Sequence, residues 1–131
     1  QVAGPHTVQP VEINAGSWYL RGLRADDRLS DVPALADLGC PIPAAYISDT
    51  DRGWADETRC VWAVCEPTTG ELLAVIGVGT SGIGDAARLS GLARREGQAA
   101  LDAAVAPVRR FAEGALGWTV PSTSPPENGW P

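Results

Sequence analysis

The chain has 131 residues, 44% of them hydrophobic, which suffices for one globular domain burying on the order of two thirds of its unfolded surface without disulfide staples. Its ten cations are all arginine and stand against 16 acidic residues; the net charge of −6 argues against nucleic acid as a partner. No run approaches the ~18 apolar residues of a membrane span, and Gln1 to Pro10 lacks the basic start and apolar core of a signal peptide.

Residues 1–16 are rich in Pro, Gly and polar side chains and read as a flexible arm, residues 17–120 as the folded domain, and residues 121–131, with four prolines, as an irregular tail. Ser17 to Arg24 alternates like a half-buried strand. Ser30 or Asp31 can cap a short helix carrying Val32, Leu35 and Leu38, with Pro33 in its first turn and Gly39 as its stop. Ala44 to Ala55 predicts a second helix with Tyr46, Ile47 and Trp54 on one side. Cys60–Glu66 and Glu71–Val78 flank the turn Pro67-Thr-Thr-Gly70 and predict a β-hairpin. Its second arm is apolar at consecutive positions, as in a central strand covered on both faces. Ala86, Leu89, Leu92 and Ala93 recur at helical spacing, so a helix is expected over 85–96, ended by Gly97. Ala100 to Val105 fits a helix or a strand, and Pro107 leads into a helix through Leu116.

Three cysteines without CxxC spacing, Cys40, Cys60 and Cys65, read as reduced, buried, structural thiols, with the cytoplasm as the default compartment. Cys60 and Cys65 lie five apart on one strand and so face opposite sides. His6 is the only histidine, which leaves no catalytic triad and no multi-His metal site. Among five tryptophans, Trp18, Trp54 and Trp62 suit the core, while Trp118 and Trp130 are candidates for exposed anchors.

The run Gly77-Val-Gly79-Thr-Ser-Gly82-Ile-Gly84 follows the apolar strand directly. Glycines at 79, 82 and 84 permit a tight turn and close approach of a ligand, and free amides at a helix start favour a phosphate, with Thr80 and Ser81 as hydroxyl donors.

Taken together, the strand Tyr19–Asp27, two short helices, the hairpin Val61–Gly77, the turn Thr80-Ser-Gly-Ile-Gly84 and the late segment Val108-Arg-Arg-Phe-Ala-Glu-Gly-Ala-Leu-Gly-Trp118 resemble the GNAT acetyltransferase superfamily. In that family a further long strand separates hairpin from loop, and the loop opens on Gln or Arg, where Gly79 stands here. The resemblance implies an α+β fold with a mixed, mostly antiparallel sheet flanked by helices. It implies acetyl-CoA as co-substrate, with Val75, Ile76, Gly77 and Val78 beside the thioester and pantetheine arm and Gly79, Thr80, Ser81, Gly82, Ile83 and Gly84 at the pyrophosphate. Acyl transfer to an amine also needs a base, and Glu66 at the hairpin turn is the nearest carboxylate, with Glu71 second. The alternative is a non-catalytic module that binds acyl-CoA or a nucleotide, or that dimerises; a short sheet with open edges allows a homodimer. The glycine run also resembles the first turn of short-chain dehydrogenases, but a chain without lysine lacks their catalytic set.

Overall fold

Six strands form one sheet in chain order, β1 (Ile13–Ala15), β2 (Trp18–Gly22), β3 (Arg59–Cys65), β4 (Leu72–Gly79), β5 (Arg88–Ala93) and β6 (Glu127–Asn128). Helices α1 (Val32–Asp37) and α2 (Pro43–Asp56) connect β2 to β3, and α3 (Gln98–Ala115) connects β5 to β6. All neighbours are antiparallel except β6, which runs parallel to β5. These are features of a computed structural model that describes residues 11–26, 28, 30–80, 87–120 and 127–131. The chain is therefore α+β with a mostly antiparallel sheet, and none of the described helices is long and apolar enough to cross a membrane.

Strand periodicity divides the core into two layers. On one face Cys60, Trp62, Val64, Ala74, Ile76, Val78 and Leu89 pack under Ala100, Leu101, Ala104, Val108 and Ala112 of α3. On the other, Val61, Ala63, Cys65 and Val75 pack under Leu35 and Ile47 of α1 and α2. Cys60 and Cys65 thus lie in opposite layers, as their spacing predicts, and all three cysteines are free and buried. Trp54, Trp62 and Phe111 join α2, β3 and α3 edge to face, with ring centroids 5.0 to 6.1 Å apart. Both indole N–H groups in that cluster have carbonyl partners, Val61 for Trp54 and Val11 for Trp62.

Local chemistry explains the elements that the sequence predicts. Gly70, at φ +74°, closes the β3–β4 hairpin, and Gly39, at φ +97°, stops α1. Gly117, at φ +68°, ends α3, where the Trp118 amide bonds back to the Ala112 carbonyl.

Four expectations need correction. The helix expected over 85–96 is strand β5 from Arg88 to Ala93, because β4 is apolar on both faces and needs a partner on each edge; β3 supplies one and β5 the other. Gly97 begins a helix instead of ending one, and Ala100–Val105 belongs to the same 18-residue α3 that carries Pro107 in its interior. Part of the expected arm, Ile13–Ala15, forms edge strand β1, and part of the expected tail, Glu127–Asn128, forms β6. Trp118 and Trp130 are half-buried and not exposed anchors: Trp118 packs on the α3 layer and Trp130 lies 5.1 Å from the Tyr46 ring.

Candidate functional site at the β5–α3 junction

The turn between β5 and α3, Arg94-Arg95-Glu96-Gly97, is folded tightly onto β4. The Arg94 amide donates to the Leu73 carbonyl at 2.8 Å, and the Gly97 amide closes back on the Arg94 carbonyl at 2.8 Å. A Cβ on Gly97 would stand 2.0 Å from the Leu73 carbonyl oxygen, so only glycine lets the backbone approach this closely. Arg94 pins the turn from the other side. Its Nε lies 3.0 Å from Asp37 at the end of α1, and its Nη1 reaches Glu71 at 3.3 Å and the Leu72 carbonyl at 3.1 Å.

Helix α3 therefore starts at a fixed position with its first amides pointing outward. The amides of Gln98, Ala99 and Ala100 have no partner within the helix, by the geometry of any helix start. Gly97, the residue before the helix, offers no side-chain cap, and the first turn carries no acidic residue to neutralise the dipole. Gln98 and Ala99 are exposed. The result is a positive, donor-rich end backed by 18 residues of helix.

The sheet leads directly to this end. Among the described residues β6 pairs with β5 at Ser90 and Gly91, and the last bond of that seam runs from the Gly129 amide to the Gly91 carbonyl at 3.1 Å. Past it, Leu92 and Ala93 pair with Val75 and Ala74 on the β4 side alone among the described residues. The two parallel strands part there, leaving a short open edge that ends at the head of α3.

The residues expected to hold a cofactor are placed differently. Val75, Ile76, Gly77 and Val78 are buried in the middle of β4, with β3 on one edge and β5 on the other, so a pantetheine arm cannot add to them as a strand. Gly79 is the last residue of β4, and the Thr80 amide bonds to the Thr58 carbonyl at 3.2 Å. Ser81, Gly82, Ile83 and Gly84 lie outside the described residues. Arg88 follows them as the start of a strand, so α3 does not begin on that loop.

The Glu66 carboxylate is engaged within its own turn. Its Oε1 accepts the Thr68 amide at 2.6 Å, and its Oε2 lies 3.5 Å from the Thr69 hydroxyl. The Thr68 amide bond, above all, holds the Glu66 carboxyl below its ordinary value, as befits a turn-organising carboxylate. Glu71 pairs with Arg94. Sequence reasoning missed the β5–α3 junction because leucines at 89 and 92 suit a helix as well as a strand. The usable signal was the doubly apolar β4, which demands a second neighbour.

No protein-family model, curated protein or solved structure matches this chain.

Proposed function

We propose that the chain binds an acyl-CoA, with acetyl-CoA as the reference ligand, at the β5–α3 junction, and that its activity is transfer of the acyl group to an amine. One observation carries the reading. The parallel β5–β6 pair ends at Gly91, and the open β5 edge runs into Arg94-x-x-Gly97-x-Ala99 at the uncapped head of α3. In the GNAT resemblance a further strand stands between hairpin and loop, and the loop opens on Gln or Arg. β5 supplies such a strand, and Arg94 stands at the opening of the turn. The amides of Gln98 to Ala100 would hold the pyrophosphate, and Ala93, whose backbone groups face away from β4, offers a site at which an amide-bearing pantetheine arm can pair.

Transfer would proceed by attack of the amine on the thioester carbonyl, forming the C–N bond and breaking the C–S bond, with the amine proton passing through solvent to the departing thiolate. A specific observation favours a second reading, a binding module without turnover: Glu66, the expected base, is engaged in the β3–β4 turn.

The test is calorimetric titration of the chain with acetyl-CoA, beside Ala99→Glu. An acid in the first turn complements the helix dipole and leaves the fold intact or slightly more stable, yet repels a pyrophosphate. The reading predicts saturable binding that Ala99→Glu weakens by about tenfold or more, on the scale of a charge-assisted contact. Wild-type protein that takes up no acetyl-CoA sinks the assignment. Thiol release in a panel of amines separates transferase from binding module.

A further inference from the structure

The opposite end of β5 carries a second arrangement, and it does not depend on the acyl-CoA reading. Gly79 of β4 lies in register between Arg59 of β3 and Arg88 of β5. Residues directly opposite one another in adjacent strands point to the same face, so two arginines flank a position without a side chain, about 10 Å apart across two strand spacings. The row opens into a cleft of about 760 Å³ lined also by Arg52, Asp49, Asp56 and Thr58. Among the described residues that line this cleft, three arginines stand against two aspartates, on a chain whose net charge is −6.

The position of Arg59 is built by its surroundings. A Cβ on Gly53 of α2 would stand 2.8 Å from the Arg59 carbonyl oxygen, and a Cβ on Gly79 would stand 3.4 Å from its Cγ. Two glycines thus let the helix and the neighbouring strand close around the base of this one side chain. The guanidinium lies 5.8 Å from the Tyr46 ring centroid, a cation–π contact that orients it. Its Nε–H is buried with no hydrogen-bond partner among the described residues. Neither described carboxylate that lines the cleft pairs with it: Asp49 binds Arg52 at 3.2 Å, and Asp56 is exposed.

We infer that this cleft is a binding site for a small oxyanion-bearing molecule, a carboxylate or a phosphate, held between Arg59 and Arg88 over the glycine floor at Gly79. The planar fork of arginine suits such a group. The bare floor leaves room for the group to sit between the two side chains.

Titration of the chain with glutarate and with inorganic phosphate, followed by amide shifts or calorimetry at low salt, tests this. At least one probe should bind saturably, more weakly as salt rises. Arg59→Gln and Arg88→Gln should each weaken binding by about tenfold or more, whereas Arg110→Gln, on the exposed side of α3, should leave it unchanged. The stronger of the two probes identifies the source of the oxyanion. No binding of either probe, or equal binding by wild type and by a folded Arg88→Gln, overturns the site. Because Arg88 is exposed, its variant remains informative even where Arg59→Gln loses stability. Ala99→Glu should not affect these probes, and Arg59→Gln should not affect acetyl-CoA. The two readings therefore fail separately.

Discussion

Single residues in this chain carry loads that their types alone do not announce. Asp31 is the residue before α1, a position where a carboxylate usually caps the helix. Here both its oxygens are taken by the buried Arg21, through Nη1 and Nη2 at 2.8 Å each, and the Arg24 amide adds a third bond at 2.7 Å. Burial opposes charge on Arg21, but the Asp31 hydrogen bonds and the charge interactions with Cys65, Asp31 and Tyr19 together outweigh it, so the guanidinium stays ionised with its pKa above the ordinary value. Removing one partner strands the other charge in the core. Asp31→Ala should therefore destabilise the fold by about 3–5 kcal/mol in urea unfolding, and Arg21→Met with Asp31→Leu should recover most of that loss. The buried thiols add a pH dependence of known sign. Desolvation pushes Cys60 up to about 12 and Cys65 up to about 11. A thiol that is harder to ionise when folded stabilises the fold fully below its unfolded pKa, about 8.5. That contribution is lost as pH rises towards the folded values. Stability should fall steadily above about pH 8.5, and replacing Cys60 and Cys65 with Ala should flatten that alkaline limb. An alkaline limb of unchanged slope in the double variant would contradict this.

At the scale of elements, glycine placement divides structural need from tolerance. Gly97→Ala forces a methyl into the Leu73 carbonyl and should cost about 1–3 kcal/mol or more by overpacking. Gly114→Ala, in the exposed last turn of α3 where a Cβ meets nothing within 4 Å, should stabilise by about 0.5–1 kcal/mol. Thermal unfolding of the two variants should shift in opposite directions. The hairpin and α1 were legible in the sequence because turn glycines and a first-turn proline mark them locally. β5 was not, since Leu89 and Leu92 satisfy a helical spacing and only the pairing needs of β4 decide for a strand. The start of α3 was hidden for a related reason. Pro107 looks like a first-turn residue, yet the helix runs through it, giving up one bond to the Ala103 carbonyl while Ala104 and Val108 stay buried. The β5–α3 turn was not legible as a place for the site. The glycine turn expected to open a helix at Gly79 to Gly84 lies mostly outside the described residues, and a turn of that pattern stands at Arg94 to Ala99, where tertiary pairing shows that a strand precedes it.

For the whole molecule, the sheet organises two ends with different chemistry. At one end the open edge of β5 meets the amides of α3; at the other, Arg59 and Arg88 flank Gly79. Between them the carboxy-terminal segment crosses the α2 side of the sheet. The Tyr46 hydroxyl donates to the Pro131 carbonyl at 2.7 Å, and Pro131 packs over Gly77, where a Cβ would stand 2.4 Å from its ring. Burial raises the Tyr46 pKa, with Arg59 opposing, so the phenol remains a donor through neutral pH. Tyr46→Phe should leave β6 less protected from hydrogen exchange while the α3 layer keeps its protection, because the bond ties down only the last residues. Binding of acyl-CoA at the β5–α3 junction can be read residue by residue from amide shifts on addition of acetyl-CoA to the isotopically labelled chain. The largest changes should fall on Leu92, Ala93 and the amides of Gln98 to Ala100; changes centred on Thr80 to Gly84, or none at all, would rule out binding at this junction.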